Sequence, residues 1–291
     1  MSGVPATFFT QPGAQSSAGP DLPAKQARLE EILNGLGRVL IAYSGGVDSS
    51  VLLAEAHRVL GERAWGVIAQ SPSLPERELE AALSLAREGG FKVRVIRTEE
   101  MDRGQYRANG PDRCYHCKTE LFEKLERLAL EEGWDTLAYG AVTDDLGDVR
   151  PGMVAAERHR VRAPLLEAGL SKLEVRVLAR RLGLKVWDKP QSACLASRIP
   201  HGSEVTLEKL RQVELGEAAL RERFGLRVVR LRHEGRKARI EVDPADVDRI
   251  VVPAQKEAIL TLVKGLGFSE LEIDPRGYRR ADPLPTRDQE D

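Results

Sequence analysis

The sequence predicts an α/β fold: a doubly wound, mainly parallel sheet over residues 24–200, followed by a smaller α+β unit over 201–280. Three observations carry this. Short apolar runs alternate with helical stretches between residues 38 and 182, the pattern of a parallel sheet covered on both faces. The first apolar run passes directly into Ser44-Gly45-Gly46-Val47-Asp48-Ser49-Ser50 and then into a helix. At such a strand–turn–helix junction, free backbone N–H groups and the positive helix end converge on one point, which suits phosphate. After Cys194 the pattern changes to longer helices around a pair of strands, so a boundary is expected near 200–203.

Each element follows from its spacing. Leu29, Ile32, Leu33 and Leu36 mark a helix over 24–36 that covers the first strand, 38–43. Residues 64–69 form the second strand, ending at Gln70-Ser71-Pro72-Ser73, and 76–89 a helix stopped by Gly89-Gly90. A third strand follows at 92–96, a helix at 119–132, and a short strand at 136–139 that closes at Gly140. The helix at 171–182 opens with Ser171 and Glu174 in capping-box spacing. In the second unit, 206–224 reads as one helix, 227–233 and 238–242 as strands meeting at Glu234-Gly235, 244–250 and 255–264 as helices, and 270–273 as a last strand. A split βαβ arrangement is expected there. Residues 1–23, dominated by Gly, Pro, Ser, Ala and Gln, and 281–291 read as mobile tails.

Composition narrows the function classes. The 291 residues suit two domains, and 42% hydrophobic with 31% charged residues is ordinary for a soluble protein. Lys plus Arg number 44 against 45 for Asp plus Glu; the resulting charge of -1 argues against broad nucleic-acid binding. No apolar run approaches the roughly 20 residues of a membrane helix, and 1–23 lack the basic and apolar regions of a secretory signal. Three cysteines are too few for a disulfide scaffold, which suggests a cytoplasmic setting and asks what the thiols do.

The glycine turn is not a Walker A loop. That loop ends in Lys followed by Ser or Thr, whereas Asp48 stands here and no Lys occurs between Ser44 and Val59. A carboxylate among phosphates either orients the loop or helps hold Mg²⁺. Ser44, Gly45, Gly46, Asp48, Ser49 and Ser50 are the candidate nucleotide-binding residues. Gly140 and Asp144, in Tyr139-Gly140-Ala141-Val142-Thr143-Asp144-Asp145, close a strand on the same edge. The two acids there read either as Mg²⁺ or adenine contacts or as a solvated turn. Asp148-Val149-Arg150 and Arg162-Ala163-Pro164 continue that edge.

In Arg113-Cys114-Tyr115-His116-Cys117-Lys118, two thiols two residues apart can share a metal or cluster, and the adjacent cations favour thiolate. A redox pair, half of a zinc site completed by Cys194 and His116 or His201, and two buried thiols are the other readings. Cys194 lies in Ala193-Cys194-Leu195-Ala196-Ser197-Arg198-Ile199-Pro200, close in sequence to Lys189 and Arg198, as a reactive thiolate would be. Cys194, Asp48 and Arg198 are therefore the catalytic candidates. On the predicted strand 227–233, Arg230 and Arg232 share one face, where two guanidiniums can grip a phosphate. Glu217, Arg223, Arg239 and Glu241 are further candidates.

The loop resembles the SGGxDS signature of PP-loop ATP pyrophosphatases (adenine nucleotide alpha hydrolase-like), which release pyrophosphate and use AMP to activate an oxygen. Together with Arg-Cys-x-x-Cys-Lys at 113–118, Ala-Cys-Leu-Ala-Ser-Arg-Ile-Pro at 193–200 and Asp274-Pro275-Arg276-Gly277-Tyr278-Arg279, it resembles the LarE family of ATP-dependent sulfur transferases over about 24–280. The resemblance implies adenylation of a carboxylate of pyridinium-3,5-biscarboxylic acid mononucleotide and its conversion to a thiocarboxylate for the nickel-pincer nucleotide; a homo-oligomer is expected. It further implies one of two sulfur sources. In one branch the cysteine at the position of Cys194 gives up its own sulfur; in members with the added Cys-x-x-Cys, Cys114, Cys117 and Cys194 would hold a [4Fe-4S] cluster fed by a separate sulfide donor. A tRNA thiolase on the same fold, and a non-catalytic ATP- and metal-binding module, are the alternatives in other classes.

Overall fold

The computed structural model describes residues 21–147, 150–190 and 193–278. Both expected tails lie outside these residues except for 21–23, which start the first helix; Asp148, Val149, Gln191, Ser192 and Arg279 also lie outside. Helix α1 (Leu22–Asn34) begins two residues before the expected 24 because Pro23 falls in its first turn, where a missing N–H is harmless. Then follow β1 (Val39–Ala42), α2 (Val47–Leu60), β2 (Ala64–Gln70), α3 (Glu76–Glu88), β3 (Val93–Arg97), α4 (Gly104–Arg107), α5 (Arg113–Glu132), β4 (Thr136–Tyr139), α6 (Pro151–Arg158), α7 (Pro164–Glu167) and α8 (Lys172–Arg181).

The four strands form one parallel sheet in the order β3-β2-β1-β4, with Val39 opposite both Ala64 and Thr136. Strand alternation shows why the sheet is wound on both faces. Val39, Ile41 and Tyr43 enter a core shared with Leu29, Val51, Leu85 and Val175 from α1, α2, α3 and α8. Their neighbours Leu40 and Ala42 enter a second layer with Phe122, Leu125 and Ala155 from α5 and α6. With both faces buried, the central strand β1 is apolar throughout, whereas β3 at the edge carries Arg94 and Arg97. The chain builds β2 and β3 on one side of β1 before crossing to β4, so the order reverses between β1 and β4. A crevice for ligand opens beyond the strand ends at such a reversal.

The remaining elements are α9 (Leu207–Phe224), β5 (Val229–Glu234), β6 (Lys237–Val242), α10 (Pro244–Ile250), α11 (Pro253–Gly265) and β7 (Glu270–Ile273). Their sheet has the order β5-β6-β7, with β5 and β6 antiparallel and β6 and β7 parallel. The expected split βαβ unit is therefore not formed: β6 and β7, joined through α10 and α11, are direct neighbours. The core of this part contains Leu210, Val213, Leu231, Ile240 and Val263, and it also takes in Tyr106, Leu195, Ala196 and Ile199. Segments that precede residue 200 in the chain thus pack on the second core, and these segments carry the cysteines.

Among the described residues, no helix is long and apolar enough to cross a membrane.

Candidate functional site

Beyond β1, Tyr43 is buried and its hydroxyl donates to the carbonyl of Ala82 at 2.9 Å, fixing the strand end to α3. Gly45 follows with φ +68°, and a Cβ there would lie 2.5 Å from the Cβ of Ala82, so both conformation and space require glycine. Ser44 and Ser49 close the loop: the Ser44 amide donates to Ser49 Oγ at 3.2 Å, their hydroxyls lie 3.1 Å apart, and Ser49 Oγ donates to the Gly46 carbonyl at 3.2 Å. Gly46 is the N-cap of α2 and no side chain caps that helix. The first-turn amides of α2 are thus left for a ligand. Ser50 differs from the expectation that it binds nucleotide: it is buried and its amide donates to the Gly46 carbonyl at 3.0 Å, so it builds the helix rather than the rim of the loop.

Gly140 closes β4 against this turn. A Cβ on it would come 2.8 Å from the Ser49 nitrogen and 2.9 Å from the Asp48 carbonyl carbon. Asp48 accepts from the Lys172 ammonium at 2.6 Å, and the Lys172 amide donates to Asp144 at 2.7 Å. Lys172 opens α8, whose Ser171–Glu174 capping box forms as its spacing predicts. A second ammonium, Lys189, donates to the Gly45 carbonyl at 3.2 Å and pairs with Glu78 at 2.8 Å. The cation missing from the loop in sequence is therefore supplied in space by Lys172 and Lys189. Sequence reasoning missed both; Lys172, on the first helical residue inside a recognised capping box, carried the better signal.

Cys114 and Cys117 lie on the first turn of α5, which starts at Arg113 rather than at the expected 119. The reason is tertiary. Arg113 is buried and donates to Asn109 Oδ1 at 2.6 Å and to the Ala196 carbonyl at 2.8 Å. Asn109, in the left-handed region at φ +55°, donates in turn to the carbonyls of Pro200 at 2.8 Å and Ser203 at 2.9 Å. The Cys-x-x-Cys turn is so tied to the Cys194 segment. Cys194 caps the turn Leu195–Arg198, and both it and Cys117 border the second core.

Two expectations about these thiols are corrected. Burial, then the carboxylate of Glu100, pushes the Cys117 thiol up to about 12, so its neighbouring cations do not make it a thiolate. Arg198 does not face a reacting atom. It is buried, donates to the carbonyls of Ala193 at 2.6 Å and Cys194 at 3.0 Å, and pairs with buried Glu217 at 2.9 Å. Arg198 is a positioning residue that holds the Cys194 backbone. His116 Nε2 pairs with Asp112 at 3.0 Å and His201 Nδ1 meets the Asn109 carbonyl at 3.2 Å. Among the described residues, no three His, Cys, Asp or Glu side chains converge on a single ion.

Arg230 and Arg232 share a strand face but not a task. Arg232 forms a two-pronged pair with Glu241 at 3.0 and 2.8 Å and donates to the Ser197 carbonyl at 3.1 Å. Arg230 stacks on the Tyr278 ring at 4.8 Å and lines a cavity of about 430 Å³ with Arg221, Arg227, Lys185 and Lys189. Burial, with the Arg198 charge nearby, lowers the pKa of its guanidinium. Glu78, Glu88 and Asp188 also line the cavity, paired with Lys189, Lys185 and Arg227, so its charge is a cationic excess; through Lys189 it adjoins the glycine loop. Arg239 is held by Glu234, Glu241 and Asp274, as a structural network on the sheet.

A parallel sheet with a glycine turn at its reversal point, an uncapped helix start and Asp48 in its first turn defines a PP-loop α/β protein. Comparison with known proteins agrees. The chain is 33% identical over 259 residues to pyridinium-3,5-bisthiocarboxylic acid mononucleotide synthase of Lactiplantibacillus plantarum, a match that covers 89% of this chain and 93% of that protein. The chain belongs to the family of that synthase, the LarE family. It is also 42% identical over 258 residues to an uncharacterised Synechocystis protein, covering 89% of this chain and 96% of the other. A Bacillus cereus GMP synthase is 29% identical over 221 residues, 68% of this chain and 42% of the enzyme. No protein-family model matches the chain.

Proposed function

We propose that the protein is an ATP-dependent sulfur transferase that adenylates a carboxylate of pyridinium-3,5-biscarboxylic acid mononucleotide and converts it to a thiocarboxylate. The observation that supports this most is the adjacency of three features: the glycine loop, the cationic cavity reached through Lys189, and the Arg113–Ala196 tie that draws the two cysteine segments together. The free amides of α2 and the ammonium groups of Lys172 and Lys189 receive the β and γ phosphates. Mg²⁺ arrives on those phosphates, with Asp48 and Asp144 as the carboxylates nearest the loop. The substrate carboxylate attacks the α phosphorus, and pyrophosphate leaves with its charge held by the two lysines. Arg230 and its cationic neighbours in the cavity take the substrate phosphate. A sulfur nucleophile then displaces AMP from the acyl carbon.

Cys114, Cys117 and Cys194 are the residues that would hold a [4Fe-4S] cluster. The donor chemistry fits: a cluster gives each thiolate a different iron, so it does not require three sulfurs to converge on one ion. Bound there, it would supply sulfide at the iron that no cysteine holds. Cys117, whose thiol burial keeps protonated in the cluster-free chain, would have to lose that proton to serve as a ligand. The second unit, from about 201, contributes the substrate side of the site.

The test is product counted per protein chain after anaerobic incubation of iron- and sulfide-reconstituted protein with Mg-ATP, substrate and sulfide. Several products per chain are expected. About one product per chain, with Cys194 lighter by H₂S, would show sacrificial transfer, and no pyrophosphate release would refute the enzyme reading altogether.

A further inference from the structure

Lys189 stands on no helix or strand. It closes a run of turns over 184–189, in which the Trp187 amide donates to the Leu184 carbonyl and the Lys189 amide to the Val186 carbonyl, each at 3.1 Å. Bonds within such a segment do not fix where it lies against the rest of the protein. Arg176 does so. It is 0% exposed in the middle of α8, and its guanidinium donates to the Trp187 carbonyl at 2.5 Å and to the Lys189 carbonyl at 3.0 Å. Arg176 follows Lys172 by one turn, so the two share a face of the helix. On that face Lys172 reaches Asp48, while Arg176 reaches the backbone that carries Lys189, whose ammonium meets the Gly45 carbonyl. One turn further, the Arg180 guanidinium stacks on the Trp187 ring at 4.9 Å.

We infer that Arg176 is a positioning residue for triphosphate binding, which acts through Lys189 by clamping the Trp187 and Lys189 carbonyls so that the ammonium is aimed at the glycine loop. This rests on the reading of Lys189 as a ligand of the β and γ phosphates. The side chain suits the task. A guanidinium offers five donors in a rigid plane and binds two carbonyls of one segment at once, whereas an ammonium is a point charge on a flexible stem. Burial strengthens both bonds, because water does not compete for them. Helix α8 thereby sets both cations of the loop, Lys172 directly and Lys189 through the clamp.

Equilibrium binding of Mg²⁺ with α,β-methylene-ATP, and of AMP as the control ligand, tests this on the full chain. The proteins are wild type, Arg176→Met, Arg176→Lys, Lys189→Ala and the double variant Arg176→Met with Lys189→Ala. Lys189→Ala should weaken binding of the triphosphate about thirtyfold and Arg176→Met about tenfold, in the range of a hydrogen bond to a charged group. In the Lys189→Ala background, Arg176→Met should cost less than about twofold, because the lysine through which it acts is gone. Arg176→Lys, which keeps a donor, should lie between wild type and Arg176→Met, and either folded Arg176 variant completes the comparison. AMP affinity should be unchanged throughout, since AMP has neither a β nor a γ phosphate. Equal losses in the two backgrounds, or equal losses for AMP and the triphosphate, would show a general structural role and overturn the assignment while leaving Lys189 as a phosphate ligand. Failure of both Arg176 variants to fold, seen by circular dichroism, would overturn it in the same way. Undiminished triphosphate binding by Lys189→Ala, or none by the wild type, would overturn the reading of Lys189 and this assignment with it.

Discussion

Replacing Glu217 by Gln should destabilise the protein by about 3–5 kcal/mol, the loss expected when one partner of a buried ion pair is removed. Glu217 and Arg198 are each 2% exposed. The carboxylate accepts from Arg198 at 2.9 Å, from Arg221 at 2.9 Å and from the Leu231 amide at 3.1 Å. Glutamine keeps the shape but leaves Arg198 as a buried cation, with Arg221 and Arg230 close by. At a urea m-value of about 2–3 kcal/mol/M, the unfolding midpoint should drop by about 1–2 M. The pH dependence has a definite sign. The two guanidiniums hold the Glu217 carboxyl below its ordinary range despite burial. Its contribution is therefore complete above the ordinary Glu pKa of about 4.3 and is lost as pH falls through the lower folded value. The gap between wild type and Glu217→Gln should accordingly narrow in acid. A double variant, Arg198→Met with Glu217→Leu, should recover most of the stability, because packed apolar groups replace buried pairs well. It should not recover the Cys194 backbone geometry, which depends on the Arg198 bonds to the Ala193 and Cys194 carbonyls, so Cys194 should alkylate faster in it. A loss below about 1 kcal/mol in Glu217→Gln would refute this account of the network.

Three further perturbations address the site. Gly140→Ala places a methyl 2.8 Å from the Ser49 nitrogen; overpacking of about 1–3 kcal/mol should lower the apo melting temperature and abolish its rise with ATP, and an intact ATP shift would count against the role of Gly140. Lys172→Ala should lower ATP-dependent pyrophosphate release about a hundredfold with the circular dichroism spectrum unchanged, since it removes a charge aimed at the leaving group; an unaltered rate would exclude Lys172. In the cluster-free protein, Cys117 should titrate near pH 12 and alkylate far more slowly at neutral pH than exposed Cys114. That same shift favours the protonated thiol of the folded state, so its contribution is complete below the ordinary cysteine value and fades as pH rises through about 12. Equal alkylation of the two cysteines at neutral pH would contradict it.

How much of this was legible in the sequence varied with the range of the interactions concerned. The strand–turn–helix at 39–60 and the capping box at Ser171 and Glu174 were readable because neighbours in sequence make them. Strand Thr136–Tyr139 and helix Pro244–Ile250 occur with their expected ends, each bounded by its own turn residues. The start of α5 was not legible: Cys114, His116 and Cys117 are weak helix formers, and the turn is fixed by Arg113 reaching the Ala196 carbonyl 83 residues away. Arg198 looked like a catalytic cation because it lies beside Cys194 in sequence, while burial and Glu217 turn it inward. The fate of Arg232 was hidden for a like reason, since its partner Glu241 stands opposite Arg230 in the hairpin and reaches Arg232 diagonally.

The distances over which the loop collects its cations bear on how it works. A Walker-type loop carries its lysine locally; here Lys172 lies 124 residues from Asp48 and Lys189 lies 144 residues from Gly45. Both lysines therefore reach the loop only when α8 and the segment after it have docked on α2. Asp48 and the Gly45 carbonyl hold the two ammonium groups in place. On the proposed function, phosphate would meet cations whose side-chain entropy has already been lost, which lowers the cost of binding, and Asp48 would serve first as a placeholder for the anion. The same economy of placement governs the second core, where Arg113, Asn109 and Arg198 order the backbone around the cysteine segments. The protein fixes the frame of each site through neutral or paired groups and leaves the reacting atoms to complete it.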